Sequence, residues 1–223
     1  MSSFVLKLIA IVSMLFDHSG YLIFGGFSAF NFLGRFAFPI FAFQLTEGYS
    51  HTKNLKKYFL RLFLFAIISQ IPFLLFRISL VENIFYLNIF FTLLLGLITI
   101  LIYDKNIFIG VISFLFIATI AELLKCDYGA FGISIIFIFY AFKNNRILMN
   151  LFFIFIVIAK YLFNLILSFN TVYFYAYLLL CIFTMLSLIF INLYNGKEGK
   201  KIKYLLYSFY PLHLLVLYFL NLI

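Results

Sequence analysis

The chain alternates long apolar stretches with short polar breaks. Nine apolar runs lie near residues 4–24, 29–50, 58–77, 84–102, 107–124, 128–142, 147–166, 172–192 and 203–221. Most are roughly 15 to 22 residues long, about what a hydrocarbon layer ~30 Å thick asks of a helix. Inside lipid a backbone has to satisfy its own hydrogen bonds, so each run predicts a helix. The expected fold is therefore all-α, a polytopic transmembrane helical bundle of about nine spans in one domain covering residues 1–223. The run at 128–142 is short for a full crossing, which leaves eight to ten spans open.

Composition narrows the class. The chain is 66% hydrophobic and 10% charged, whereas soluble domains carry about 25% charged residues. A water-soluble enzyme is excluded. The net charge of +9 would suggest nucleic acid for a soluble protein, but here the basic residues are distributed by side. With the N-terminus cytoplasmic, the inner segments hold Lys7, then Lys53, Lys56, Lys57 and Arg61, then Lys105, Lys143 and Arg146, and finally Lys197, Lys200, Lys201 and Lys203. The breaks on the opposite side hold Arg77, Lys125 and Lys160. That asymmetry over short loops predicts a multi-pass cell-membrane protein with its N-terminus inside, in contact with membrane lipids and not with nucleic acid. The first run follows a lysine like a signal peptide, yet it contains Asp17 and His18 and lacks a small-residue cleavage site, so it is expected to stay as a helix. Cys126 and Cys181 read as packing residues, and the three histidines and the acidic residues form no recognisable metal-ligand spacing, so no metal site is expected.

Ionisable groups at membrane depth are costly, which makes them the first place to look for chemistry. Asp17 and His18 stand about 13 residues from the cytoplasmic end of the first run, ~20 Å up and ~10 Å below the far boundary; Arg35 enters the second run to a similar depth. The short Gly25-Gly26-Phe27-Ser28 connection makes the two runs antiparallel neighbours, so an Arg35–Asp17 ion pair is available, with His18 as its titratable neighbour. Gln70, Asn88 and His213 reach comparable or slightly deeper levels, so five helices are expected to converge on one polar pocket. Gln44, Glu47, Gly48 and His51 fall at spacings of three and four, one stripe descending to the cytoplasm. Pro39, Pro72 and Pro211 each remove an amide donor within a span.

Several of these residues recur together in a known pattern. Met14-Leu15-Phe16-Asp17-His18-Ser19-Gly20, then Gly34-Arg35-Phe36-Ala37-Phe38-Pro39-Ile40-Phe41-Ala42-Phe43 with Glu47-Gly48, resemble the TraX family, whose name-giving member N-acetylates conjugative pilin in the inner membrane. The resemblance continues in order through Lys57-Tyr58-Phe59-Leu60-Arg61-Leu62, Ser69-Gln70-Ile71-Pro72, Asn88-Ile89-Phe90-Phe91-Thr92-Leu93, Asp127-Tyr128-Gly129 and Phe209-Tyr210-Pro211-Leu212-His213-Leu214; between about 143 and 203 only hydrophobicity matches. It implies a multi-span, all-helical acyltransferase with acetyl-CoA as donor. It leaves the acceptor open among a peptide amine, a glycan hydroxyl and a small molecule.

Acyl transfer from a thioester needs a base for the acceptor proton and electrostatic support for the oxyanion. His18 is the expected base; Asp17, about 100° around the helix from it, is expected to hold Arg35 and tune His18 indirectly. His213 is the second candidate, as base or as the acid that assists the leaving thiolate. Arg35, Gln70 and Asn88 are candidate donors to the oxyanion or to pantetheine amides. Lys53, Lys56, Lys57 and Arg61 can meet coenzyme A phosphates at the cytoplasmic mouth, with Glu47 and His51 lining the entry. Each has a plainer reading: Asp17–Arg35 as a structural ion pair, Gln70 and Asn88 as interhelical glue, and the basic cluster as a topology and lipid signal. A proton-coupled transporter or channel using the Asp17, His18 and Arg35 cluster, and a non-catalytic membrane assembly protein, are the competing functions.

Overall fold

The computed structural model describes residues 1–25, 28–80, 86–168 and 172–222. Gly26 and Phe27 of the expected first connection, residues 84 and 85 of the expected fourth span, and the side chain of Lys203 lie outside the described residues. The described residues form ten helices: α1 (Ser3–Phe24), α2 (Ala29–Gly34), α3 (Ala37–His51), α4 (Leu55–Ser79), α5 (Ile89–Lys105), α6 (Ile107–Leu123), α7 (Gly129–Ala141), α8 (Arg146–Ser168), α9 (Val172–Asn192) and α10 (Lys203–Leu220). Among them there is no strand, only an isolated parallel bridge between Leu87 and Cys126. Among the described residues four stretches are long and apolar enough to cross a membrane: Ser3–Phe24, Leu55–Ser79, Arg146–Ser168 and Tyr173–Asn192.

Each expected run contains helix, but two expectations are corrected. The run at 29–50 is not one helix; it breaks between α2 and α3 at Arg35 and Phe36. Pro39 has no N–H to bond the Arg35 carbonyl four residues back, and this missing bond favours the interruption seen here. The Arg35 N–H instead bonds the Phe32 carbonyl at 3.1 Å, a tightened last turn. Lys160 is the second correction: it lies within α8, well before the helix ends at Ser168, and not in a break.

The chain divides into two compact units, Met1–Phe41 with Asn144–Leu206, and Ala42–Lys143 with Tyr207–Ile223. In the first, α1 packs on α2, α8 on α9, and α2 on α9. Phe32 and Phe36 both lie against Phe183, each at 5.8 Å between ring centroids. The start of α1 is tied to the segment after α9: the N–H groups of Ser3 and Phe4 donate to the carbonyls of Lys197 at 2.8 Å and Glu198 at 3.0 Å. Two of the donors that a helix start leaves without an intrahelical partner are thereby satisfied.

In the second unit α5, α6 and α7 pack on one another and α4 packs on α5. Its core is built from side chains such as Leu97, Ile100, Ile133, Ile136 and Phe139, all nearly inaccessible. Cys126 is buried here and Cys181 in the first unit, both as free thiols. The Asp127-Tyr128-Gly129 turn starts α7. Tyr128 and Gly129 have φ of 64° and 44°, and the Glu122 carboxylate accepts from the Ala130 N–H at 2.9 Å. That bond takes up one exposed donor of the new helix.

Candidate functional site

In the first unit the chemistry begins where α1 and α2 meet. Asp17, 8% exposed, pairs with the Arg35 guanidinium, as the sequence predicts. Asn31 locks the pair in place. Its Nδ2 donates to the Asp17 carbonyl at 3.0 Å, its own carbonyl accepts from Arg35 Nε at 3.3 Å, and its Oδ1 accepts from the Ser28 N–H at 3.1 Å and hydroxyl at 2.7 Å. Two glycines permit this approach. A Cβ on Gly20 would stand 2.6 Å from Asn31 Oδ1, and one on Gly34 would stand 2.7 Å from the Asp17 Cα. Sequence reasoning missed Asn31. The available signal was its spacing, four residues before Arg35 and hence on the same helical face. His18 is half-buried on α1, next in sequence to Asp17 and within the electrostatic reach of Arg35.

In the second unit Gln70 and Asn88 are brought together. Asn88 caps α5, its Oδ1 accepting from the Phe90 N–H at 3.0 Å. Its Nδ2 donates to the Ala66 carbonyl at 2.7 Å and to Gln70 Oε1 at 2.8 Å. Gln70 Oε1 also accepts from the Asn88 N–H at 3.1 Å, and its Nε2 donates to the Tyr86 carbonyl at 2.7 Å. The Asn88 amide nitrogen joins α5 to α4 while its oxygen caps α5, which gives the interhelical-glue reading direct geometric content.

His213, 6% exposed, lies two residues past Pro211 in α10. Its Nδ1 stands 2.8 Å from the Phe209 carbonyl. A carbonyl only accepts, so Nδ1 carries the hydrogen and Nε2 keeps the lone pair. The ring stacks on Phe209 at 4.9 Å and meets Tyr210 edge-on at 5.7 Å. Such a ring is fixed in tautomer and orientation, as a base requires.

The other end of α4 carries the basic cluster. Lys53, Lys56 and Lys57 are exposed around the helix start, where Asn54 Oδ1 accepts from the Lys57 N–H at 2.9 Å. Arg61 is drawn inward: it lies over the Tyr58 ring at 5.8 Å and hydrogen-bonds the Tyr207 hydroxyl. The place of a side chain at Gly48 is taken by Tyr58, whose hydroxyl would stand 2.8 Å from a Cβ there. On the same α3 stripe Gln44 is buried, and His51 Nδ1 is 2.9 Å from the Glu47 carbonyl and 3.9 Å from its carboxylate. The helix ends hold one more cluster that sequence reasoning missed. The Asp104 carboxylate accepts from the hydroxyls of Tyr140 and of Tyr49, the latter at 3.0 Å, while Lys143 lies over the Tyr140 ring at 4.0 Å. The Tyr140 bond, then the Tyr49 bond and the Lys143 charge, hold the Asp104 carboxyl below its ordinary range against the opposing effect of desolvation.

Comparison with known proteins agrees with the family resemblance. The chain is 27% identical over 230 residues, 97% of its length and 94% of the relative's, to the protein of Dichelobacter nodosus named "Probable fimbrial assembly protein FimC, serogroup H1". No solved structure matches it. The family described as TraX protein matches residues 2–221, essentially the whole chain, and the protein belongs to the TraX family.

Proposed function

We propose that the protein is an integral membrane acyltransferase of about nine crossings, with its N-terminus in the cytoplasm, that moves an acetyl group from cytosolic acetyl-CoA to an amine or hydroxyl acceptor at or across the membrane. The observation that carries this reading is the Asp17–Arg35 pair, held by Asn31 beside His18 inside the first apolar helix. A charge pair costs too much at that depth to be an ornament of an apolar helix, and His18 supplies the one residue type that exchanges protons near neutral pH unaided.

In the reaction the His18 imidazole takes the proton of the acceptor amine or hydroxyl as its nitrogen or oxygen bonds the thioester carbonyl carbon. The tetrahedral oxyanion collapses, the carbon–sulfur bond breaks, and the thiolate of coenzyme A leaves and is protonated. Asp17 fixes Arg35, whose guanidinium offers the oxyanion a charged donor. His213 is the alternative candidate for the acid–base role. Gln70 and Asn88 act chiefly as frame for α4 and α5, with the second Nε2 hydrogen of Gln70 left for a pantetheine amide. Lys53, Lys56 and Lys57 fit the phosphates of coenzyme A: they are exposed cations around a helix start, where backbone N–H groups and the helix dipole also favour anions. Arg61, Glu47 and His51 border them. Among acceptors, a pilin-class peptide amine is favoured by the relative named for fimbrial assembly.

Thermal unfolding of the detergent-purified protein tests the donor. Acetyl-CoA at about 100 times its Kd is expected to stabilise the fold by ~2.7 kcal/mol, and Lys53, Lys56 and Lys57 changed together to Gln are expected to lose most of that shift. Millimolar acetyl-CoA that gives neither stabilisation nor slow hydrolysis to acetate would refute the assignment.

A further inference from the structure

The most unusual charge outside these clusters is Lys160. It lies in α8, a stretch long and apolar enough to cross the membrane, at an exposed position. At about 1.5 Å per residue it stands about 21 Å along the axis from Arg146 and about 12 Å from Ser168. A lysine stem covers roughly half the shorter distance, and side chains on a helix lean toward its N-terminus, away from the nearer boundary. Snorkelling to headgroups is therefore disfavoured, and among the described residues Lys160 has no hydrogen-bonding or ionic partner. Asn164, one turn on, is half-buried and adds a donor and an acceptor to the same face.

The packing of α8 explains why this face is open. Its buried residues are Met149, Phe153 and Val157, and the Tyr161 hydroxyl meets Thr184 of α9 at 3.0 Å, while Phe155, Ile158, Leu162 and Phe163 are exposed. Lipid suits those apolar side chains and does not suit an ammonium. The charge has to be met by an anion at the same depth, below any lipid phosphate. Four of the chain's own acidic groups are already engaged and so are poorly placed for this in a second copy. Asp17 is held by Arg35, Glu122 by the start of α7 and Asp104 by two tyrosines, and Glu198 faces Lys201 in the segment after α9.

We propose that the Lys160–Asn164 face of α8 is a docking surface for a transmembrane helix of another protein, one carrying an aspartate or glutamate within its apolar span. The carboxylate pairs with Lys160, Asn164 supplies a further hydrogen bond to it, and the flanking apolar residues pack against the partner helix. This surface is independent of the acyl-transfer chemistry.

The test uses the full chain in phosphatidylcholine vesicles and two synthetic peptides, 22-residue Leu/Ala transmembrane helices carrying one Glu or one Gln at the depth of Lys160. Energy transfer between labelled peptide and labelled protein reads association. The Glu peptide is expected to associate at least tenfold more tightly than the Gln peptide. Lys160→Met and Lys160→Gln abolish that preference, Lys160→Arg keeps it, and all three variants unfold at the parent temperature. Equal association of the two peptides overturns the proposal. So does a preference that survives Lys160→Met, competition by phosphatidylglycerol as strong as by the Glu peptide, or peptide-free self-association of the protein that Lys160→Met removes.

Discussion

A carboxylate and a guanidinium in a membrane span hold each other in place, and each is most costly when left alone. Asp17 and Arg35 are such a pair, so Arg35→Met or Asp17→Asn is expected to lower stability by roughly 3 to 5 kcal/mol, while the double variant loses clearly less than the sum. Thermal unfolding of all three in detergent checks this; additive losses would mean that the two charges are not coupled. Asn88 is exacting in a different way, because its side chain both caps α5 and bonds the Ala66 carbonyl. Asn88→Ala is expected to cost about 2 kcal/mol or more, a lost cap plus buried groups left without partners. At this scale the sequence was readable where a charge interrupted an apolar run, as at Asp17, His18 and Arg35. Asn31 was not readable, because one neutral amide near a polar break looks like any residue of that break until the neighbouring helix is in place.

Helices here approach one another through glycines and are tied at their ends by tyrosines. Gly48 leaves space that the Tyr58 hydroxyl fills, so Gly48→Ala is expected to displace Tyr58 and lower the unfolding temperature, whereas Gly48→Ala combined with Tyr58→Phe regains part of the loss. Asp104 joins the ends of α3, α5 and α7 through Tyr49 and Tyr140. Its carboxyl is held below the ordinary value of 3.8, so the folded state binds this proton less readily than the unfolded chain does. The resulting stability is fully present above about pH 4 and fades as the pH falls through the folded value. The unfolding-temperature advantage of the parent over Asp104→Asn should therefore shrink below about pH 4; a constant advantage down to pH 3 would contradict it. Helix positions were legible because lipid demands a continuous apolar run for each. The break at Arg35 was not, since Pro39 alone is also compatible with a kinked helix, and only the return of Arg35 to Asn31 and Asp17 distinguishes the two.

For the molecule as a whole, composition and charge asymmetry already required a membrane protein, and an ordered series of motifs from the first helix to the last pointed to the TraX family that residues 2–221 match. Lys160 shows the limit of counting basic residues by side: a lysine within a span says little about topology and more about what the span meets. The acyl-transfer account rests most directly on His18. The decisive measurement is acetyl release or transfer from radiolabelled acetyl-CoA by the purified parent and by His18→Ala, with acetyl-CoA binding followed in parallel by thermal shift. The account predicts that His18→Ala keeps the acetyl-CoA-dependent stabilisation while its turnover falls by about 10²-fold or more; a variant that binds and turns over like the parent would contradict it.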